Sequence, residues 1–478
     1  MRLNVADLKN EVQTHSDCAG GCRAKRLSFV CYSAQKHEGK YTMYQTIFIA
    51  NRADCAMRLI EGVHAAGARA VVAMAADDPL ERVRQAADVV VTTGASREAF
   101  LRATNLIEAA KRHHCEAILP GWGFLSEDPI FAQQCRLAGI HYIGPSSAHL
   151  HIFGDKYETL QRLCAPLGLD NHALLCSLPD FEQRLMAHPK NAWVLKRRTG
   201  GGGKGVFLCE SRAMLIKTLA RLVRSERVDA FYAEPWIVGR HIEFQIFGDG
   251  RGCVKVLGIR DCTPQRRCQK WLERHVPIDA EPWLAPFVTN IERLFAAFKY
   301  RSWGTLETLV DEAGEVHLLE VNPRLQVEHG VTEMATGLDL VRMALEVECY
   351  GTCDVLKTWV GDTDPKLDVL EFRLFAEAPG PVALPRFEGY VWPHHPFETD
   401  PDYRLETGYM PGDVVSGVFD GLVARFIVRS RNGDADHRLR NWIGSMAGNN
   451  AWAFASNLVA CEAARMPREV GEARTPVV

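Results

Sequence analysis

Apolar residues recur with two different periods along this chain, and these periods predict its first domain. From Gln45 onward, short apolar runs alternate with stretches in which apolar residues recur every three or four positions. The short runs predict strands at residues 47–50, 70–74, 89–91, 117–119 and 140–143. Because strands that alternate with helices are typical of a parallel sheet, the pattern predicts a doubly wound α/β domain.

Two helices of this region are predicted from their periodicity. One runs from Ser96 to Lys111, and the other begins near Ser147 and ends by Gly168. The turns after the strands lack the spacing G-x-G-x-x-G, which argues against a nicotinamide enzyme. Residues 1–44 are polar and show no sustained period, so we expect a poorly defined extension there.

Four consecutive glycines, Gly200 to Gly203, lie between two predicted strands and are followed by Lys204. Glycine runs lose much conformational entropy on folding, so they are favoured where backbone amides must wrap closely around an anion. The loop does not have the P-loop spacing. We interpret it as a mobile phosphate cover, and the alternative is a flexible hairpin tip.

Strict alternation of polar and apolar residues predicts a strand from Arg240 to Phe247, with His241, Glu243 and Gln245 on one face. We interpret this as a half-exposed strand that needs no functional explanation. A basic run at 260–270 is predicted to bind a small anion rather than nucleic acid, because no interleaved aromatic residues accompany it. Alternation at 371–375 and glycines beyond Gly408 predict an antiparallel β region in the last third.

A β-hairpin at 305–322 is the strongest candidate for a functional site. If its turn is centred on Ala313 and Gly314, Glu307 lies opposite Glu320 and Asn322 lies on the same face. Two opposed carboxylates repel each other, and a divalent cation between them would reverse that effect. Oxygen ligands of this kind suit Mg²⁺ or Mn²⁺, whereas the alternative is a solvated outer face.

Length and composition indicate an ordinary globular protein. The chain has 478 residues, so we expect several domains, and its net charge of -3 gives no general attraction for nucleic acid or an anionic membrane. No apolar run is long enough to span a bilayer and no secretory signal is evident, so a cytoplasmic protein is expected. The 15 cysteines are scattered and are interpreted as reduced.

A series of motifs then resembles one family. The motifs are IANR at 49–52, PGWGFLSE at 120–127, IGPS at 143–146, GDK at 154–156, TGGGGKG at 199–205, RDCTPQRRCQK at 260–270 and EVNPRLQVEH at 320–329. Their order is similar to that in the biotin carboxylases of the ATP-grasp superfamily, and the resemblance covers roughly residues 45–430.

This resemblance implies an α/β fold that becomes α+β in the C-terminal third. The implied domains are an extension at 1–44, a pre-ATP-grasp domain at 45–155, an ATP-grasp domain at 156–345 and a β-rich C-terminal domain at 346–478. A mobile lid at about 169–236 would carry the glycine loop.

The resemblance also assigns roles to individual residues. Metal ligands would be Glu307, Glu320 and Asn322, and bicarbonate would be held by Lys270, Arg324, Gln326 and the Val327 amide. The catalytic set would comprise Lys270 and Arg324 together with Glu328, the general base, and Arg373, which stabilises the biotin enolate. The ATP site would be formed by Lys156, Lys196, Gly201, Gly202, Gly203, Lys204, Glu234, Ile237, His241, Gln265 and Leu309.

Several residues differ from those usual in the family. Cys268 stands in place of His, Trp122 of Tyr, Pro235 of Lys, and Ala53-Asp54 of Gly-Glu, while residues 417–425 only loosely resemble the run Tyr-Asp-Ser-Met-Ile-Gly-Lys. These positions cluster near the acceptor and the adenine. We therefore expect ATP-dependent activation of bicarbonate to be retained and acceptor handling to have drifted.

The implied reaction is ATP-dependent carboxylation of biotin through carboxyphosphate, with ATP and Mg²⁺ or Mn²⁺ as cofactors. Biotin would be free or attached to a separate carrier protein, because the chain has no Ala-Met-Lys-Met motif. A separate carboxyltransferase and a homodimer are expected, with neither nucleic acid nor a membrane as partner. The alternatives are a carboxylate–amine ligase, a carboxylase with another acceptor, and a non-catalytic regulatory subunit.

Overall fold

The structure is a computed structural model that describes residues 43–200, 205–266, 269–361, 364, 366–376, 380–381, 400–410 and 413–447. The predicted extension at 1–44 falls almost wholly outside this range, and so do Gly201, Gly202, Gly203, Lys204 and Cys268. No helix among the described residues is both long enough and apolar enough to cross a bilayer.

A five-stranded parallel sheet forms the first part of the chain, as predicted. Its strands are β1 (Thr46–Ile49), β2 (Arg69–Ala75), β3 (Val89–Gly94), β4 (Ala117–Leu119) and β5 (His141–Tyr142). They lie in the order β3-β2-β1-β4-β5. Ile47 and Ile49 face one apolar core while Phe48 faces another, so helices cover both sides of the sheet.

The helices of this region begin and end at residues that interrupt the apolar period. They are α1 (Ala53–Ala65), α2 (Glu81–Ala86), α3 (Glu98–Leu101), α4 (Ala103–Arg112), α5 (Pro129–Leu137), α6 (Ser147–Gly154) and α7 (Lys156–Leu167). The continuous helix predicted from Ser96 to Lys111 is therefore wrong, because Arg102 adopts an extended conformation between α3 and α4. The helix predicted from Ser147 is likewise divided at Asp155, whose side chain caps α7 by accepting from the Glu158 amide.

A smaller antiparallel sheet follows. Its strands are β6 (Leu174–Leu175), β7 (Trp193–Arg197), β8 (Val206–Cys209) and β9 (Phe231–Pro235), in the order β6-β9-β7-β8. With α8 (Phe181–Ala187), α9 (Arg212–Leu222) and a 3₁₀ turn at Val228–Ala230, it encloses its own apolar core around Trp193 and Phe231. The pairing of β7 with β8 confirms that the glycine loop joins two antiparallel strands.

Most of the remaining strands build a large antiparallel sheet. They are β10 (Gly239–Asp249), β11 (Val254–Asp261), β12 (Gln265–Arg266), β13 (Gln269–Lys270), β14 (Leu272–Val276), β15 (Arg301–Asp311), β16 (Val316–Asn322), β17 (Asp368–Phe375), β18 (Gly380–Pro381), β19 (Tyr403–Thr407), β20 (Val414–Val415) and β21 (Leu422–Ser430). Eight of them lie in the order β16-β15-β10-β11-β14-β17-β21-β19, and two short pairs, β12-β13 and β18-β20, stand apart. The antiparallel region predicted for the last third is confirmed by β17, β19 and β21.

Five helices accompany this sheet. They are α10 (Leu284–Ala297), α11 (His329–Thr336), α12 (Leu340–Tyr350), α13 (Asp354–Thr358) and α14 (Ala435–Ala447). The predicted domain boundaries stay predictions, because the described residues from Met43 onward belong to a single unit.

The two faces of the large sheet differ in chemistry. On one face, Phe244 packs with Phe287 and Ile291 of α10, and burial of each such side chain contributes about 1.5–3 kcal/mol. The other face presents charged side chains, and α11 packs over them against β11, β14, β17 and β21. The interpretation of β10 as half-exposed is therefore wrong, because both Glu243 and Gln245 are 0% exposed.

Candidate functional site

The hairpin of β15 and β16 brings the predicted acidic residues together. Glu307 lies opposite Glu320 and Thr305 lies opposite Asn322, as the sequence predicted. The turn is nevertheless displaced from the predicted centre, since Val310 pairs with Val316 and Leu309 with His317. A bulge beyond Glu307 adds one residue to β16 and restores the predicted alignment at the acidic pair.

Oxygen atoms suited to a hard cation converge at this pair. The Asn322 Nδ2 donates to Glu307 Oε1 at 2.7 Å and to Glu320 Oε1 at 3.0 Å. Lys156, the first residue of α7, contacts Glu320, and His241 Nε2 lies 2.9 Å from Glu307 Oε2. Two carboxylates beside an amide are a donor set that fits Mg²⁺ or Mn²⁺.

The loop after β16 continues this network. The Gln326 Nε2 donates to Glu307 Oε1 at 2.8 Å, and Arg324 NH1 donates to Gln326 Oε1 at 2.7 Å. Arg324 also pairs with Glu127, which lies between β4 and β5 of the first sheet and which the sequence had not singled out as a site residue. The loop is therefore held from both the large sheet and the first sheet.

A buried ion-pair cluster lies beside the acidic pair. Lys270 Nζ is 2.8 Å from Glu328 Oε1 and 3.2 Å from Glu307 Oε1, and it also contacts Glu243. Glu328 is 1% exposed, and its Oε2 accepts from Arg373 NH2 at 2.5 Å. One lysine thus joins the acidic hairpin to Glu328.

Electrostatics keep Glu328 ionised. Burial alone would raise the pKa of this carboxyl, but Lys270, Arg373 and Arg260 outweigh burial and hold its pKa well below the usual range. The pKa of Glu307 is lowered in the same way, because Lys270 and His241 outweigh its burial. Both carboxylates are therefore acceptors at neutral pH.

The remaining predicted residues lie in two groups. Gln265 Nε2 lies 2.6 Å from His241 Nδ1, and Leu309 is opposite His241 across β10 and β15, so both belong to the acidic site. Lys196 and Glu234 pair with each other at 2.6 Å across the smaller sheet. Ile237 lies just beyond β9 and is partly exposed.

Val327 and its neighbours form an adjoining wall. The Val327 carbonyl accepts from Arg425 NH1, while Arg425 Nε donates to Asp54 Oδ2 at 3.0 Å. Trp122 stacks at a tilt against His329, with ring centroids 5.4 Å apart. The predicted difference at Trp122 therefore lies directly beside the loop that carries Glu328.

Several charged residues that the structure places in or beside this cluster were not singled out as site residues in the sequence. They are Glu127, Glu243, Arg260, Glu273, Glu371 and Arg425. For Glu243 and Glu371, the available signal was the alternation of polar and apolar residues at 240–247 and 371–375. Charged side chains in such a pattern also fit a sheet face that another element covers. Strand length and amino-acid composition alone did not distinguish a covered, charged face from a face exposed to solvent.

Comparison with known proteins places this geometry in a family. Residues 43–150 match the family described as "Biotin carboxylase, N-terminal domain", and residues 187–352 match "Carbamoyl-phosphate synthase L chain, ATP binding domain". The alpha3 subunit of a biotin-dependent acyl-coenzyme A carboxylase from Mycobacterium leprae is 33% identical over 404 residues, or 80% of this chain and 64% of the relative. The chain therefore spans less than two thirds of that protein.

Two further relatives agree. The chloroplastic biotin carboxylase 1 of Populus trichocarpa is 32% identical over 402 residues, which cover 80% of this chain and 74% of the relative. The biotin carboxylase domain of Hydrogenobacter thermophilus 2-oxoglutarate carboxylase, solved as a dimer with MgADP, ADP and bicarbonate, superposes with a TM-score of 0.74. It is 27% identical and the match covers 84% of this chain and 90% of that domain. The chain belongs to the biotin carboxylase family.

Proposed function

We propose that this protein carboxylates biotin with bicarbonate in a reaction driven by ATP. The observation that carries the proposal is the cluster in which Lys270 bridges the acidic hairpin and the buried carboxylate of Glu328. The proposed cation site and the proposed general base would therefore lie within the reach of one side chain. That arrangement suits a reaction in which a nucleotide phosphate and a small acid must meet.

Basic side chains would receive the nucleotide. Lys156, at the N-terminus of α7, and Lys196, on β7, would bind phosphate oxygens, and each is held by a carboxylate in this structure. Gln265 and His241 would bind near the nucleotide, with Glu234, Ile237 and Leu309 lining its site and Gly201, Gly202, Gly203 and Lys204 covering it. Glu307, Glu320 and Asn322 would hold Mg²⁺ or Mn²⁺, which supplies charge neutralisation for phosphoryl transfer when bound.

Bicarbonate would be oriented by the loop after β16. Lys270, Arg324, Gln326 and the Val327 amide would donate to the anion beside Glu328, and this donor set suits a small oxyanion. Glu328 would accept the proton of the bicarbonate hydroxyl, which leaves the oxygen free to attack the γ-phosphate and form carboxyphosphate. Because its pKa is lowered, Glu328 would act by proximity rather than by strong basicity.

The acceptor would lie on the Arg373 side of the cluster. Arg373 is 8% exposed and carries the positive charge nearest to Glu328, so it would stabilise the enolate form of the biotin ureido group. Closure of the lid would exclude water, which otherwise hydrolyses carboxyphosphate. Biotin would be free or carried by another protein, with a carboxyltransferase as the next component and a homodimer as the working assembly.

The test measures how ATP hydrolysis depends on bicarbonate, which accepts the phosphoryl group, and on biotin, which accepts the carboxyl group. Purified protein with MgATP should release ADP only when bicarbonate is present, and free biotin should stimulate this release. When the bicarbonate is labelled, the label should be found in carboxybiotin. Hydrolysis that depends on bicarbonate but yields no carboxybiotin would indicate another acceptor. Absence of hydrolysis together with normal ATP binding would overturn the proposal in favour of a non-catalytic subunit.

A further inference from the structure

Two glutamates lie directly opposite each other behind the proposed site. Glu273 of β14 pairs in register with Glu371 of β17, and both are 0% exposed. Opposed residues on neighbouring antiparallel strands have Cβ atoms about 4.5–5.5 Å apart, and like charges so placed destabilise the sheet. None of the proposed steps uses either carboxyl.

These carboxyls compete for one guanidinium. Arg373 NH2 lies 2.7 Å from Glu273 Oε1 and 2.5 Å from Glu328 Oε2, while its Nε lies 3.6 Å from Glu371 Oε1. Arg425 is a weak additional partner, since its NH1 is 3.7 Å from Glu371 and it contacts Asp54 and Glu406 more closely. Arg373 thus faces three buried carboxylates, and Glu328 competes with the other two for it, which favours retention of a proton by the Glu273 and Glu371 carboxyls.

Hydrogen bonding supports the same conclusion. Among the described residues, no donor is aligned to form a hydrogen bond with either oxygen of Glu273 or Glu371. An ionised carboxylate that is buried without hydrogen bonds is costly, whereas a protonated carboxyl can donate to a neighbouring carboxylate. Burial, opposed by Arg373, raises the pKa of Glu273 to about 7. Burial likewise raises the pKa of Glu371, against the effect of Arg425.

We propose that Glu273 and Glu371 share one proton and that this carboxyl pair positions Arg373 beside Glu328. With one proton between them, the pair presents a single negative charge to the guanidinium. When Glu328 accepts the proton of bicarbonate, Arg373 would keep an ionised partner and therefore its place. This last consequence rests on the proposed function, whereas the shared proton does not.

Charged and titratable groups face the pair from every neighbouring element. Around Glu273 they include Arg373, Glu328, Lys270 and Arg260, and around Glu371 they include Arg425, Arg373 and Glu406. Cys262 adds a buried thiol near Glu273 and Glu328, and burial raises the pKa of that thiol well above its usual value. The thiol is therefore neutral at ordinary pH and adds no charge beside the two carboxyls.

The test compares Glu273→Gln, Glu371→Gln and the double variant by infrared spectroscopy without substrates. Wild-type protein should show the carbonyl stretch of a protonated carboxyl, and each single variant should lose it because the remaining carboxylate ionises. Glu333→Gln is the matched control: Glu333 is buried between Arg58 and Arg404, and burial is outweighed by these neighbours, which keep its pKa low. This control should retain the band, and a band that survives in either single variant would overturn the proposal.

Stability and turnover provide the second measurement. A carboxyl with a raised pKa stabilises the fold below its unfolded pKa and loses that contribution as pH rises through the folded value. Wild-type protein should therefore lose stability as the pH rises from about 4.5, the ordinary pKa of a glutamate, to about 7, and both single variants should lack this loss. Each single variant keeps one ionised carboxylate beside Arg373, so the two should lose only a little turnover and to the same extent, although Glu273 lies nearer Arg373, while the double variant should fall at least about tenfold further.

Additive losses dominated by Glu273→Gln would show independent ion pairs and refute proton sharing. The readouts also separate the two proposals. If the infrared band behaves as expected but ATP hydrolysis does not depend on bicarbonate, the proposed function fails while the carboxyl pair stands.

Discussion

Replacement of Glu328 by Gln tests the chemical centre of the proposed reaction. The variant keeps the shape of the side chain and removes its charge, so bicarbonate would lose the group that accepts its proton. Loss of a general base slows a reaction by about 10²–10⁴-fold, which corresponds to about 2.7–5.5 kcal/mol of activation free energy. We expect turnover to fall by at least about 10²-fold.

The structure limits the accompanying loss of stability. Lys270 retains Glu243 and Glu307, and Arg373 retains Glu273, so neither cation is left without a carboxylate. The free energy of unfolding should therefore fall by about 1–3 kcal/mol, as for a lost charged hydrogen bond, rather than by the 3–5 kcal/mol of an unpaired buried charge. ATP should bind nearly as well as to wild-type protein, because Glu328 reaches the acidic hairpin only through Lys270.

The assay is bicarbonate-dependent ADP release at saturating substrate, with calorimetry for ATP binding and urea unfolding for stability. Glu333→Gln again serves as control, since Glu333 is 5% exposed, lies on α11 and pairs with Arg58 and Arg404 rather than with Lys270 or Arg373. The control should lose stability but keep its turnover per folded molecule. Turnover of Glu328→Gln within about threefold of wild type would refute the role assigned to Glu328.

Two further predictions concern the metal site and the start of α1. Glu320→Gln should raise the Mg²⁺ concentration needed for half-maximal turnover by about 10–100-fold, and an unchanged Mg²⁺ titration would exclude Glu320 as a ligand. Ala53 has φ of +49°, a conformation unfavourable by about 1–2 kcal/mol for residues with a Cβ, so Ala53→Gly should destabilise less than Ala56→Gly in the interior of the same helix. Urea unfolding of both variants checks this difference, and equal losses would contradict it.

The sequence predicted the acidic hairpin better than its immediate surroundings. Period-two alternation and a Gly-containing turn were sufficient to place Glu307 opposite Glu320. They did not predict the bulge, and the agreement depends on it, because the turn itself is displaced. Local turn chemistry therefore identified the strands, while pairing across the sheet decided the final alignment.

Burial of charge was the part that could not be predicted. Glu243 and Glu371 carry the same alternating pattern that a solvated strand would have, and only the position of α11 shows that their face is covered. The same holds for Arg102 and Asp155, which divide helices that looked continuous in periodicity. Each of these features depends on contacts between segments distant in sequence.

The hydrogen bond from Arg425 to Asp54 joins two residues that lie far apart in the sequence and that both differ from the residues usual in the family. Where the family usually has Glu and Lys, this chain has Asp54 and Arg425, a shorter acid and a longer base, and the Arg425 Nε donates to Asp54 Oδ2 at 3.0 Å. Restoring either one alone would overfill or underfill a space sealed from water. We therefore expect related sequences to change both Asp54 and Arg425 or neither of them.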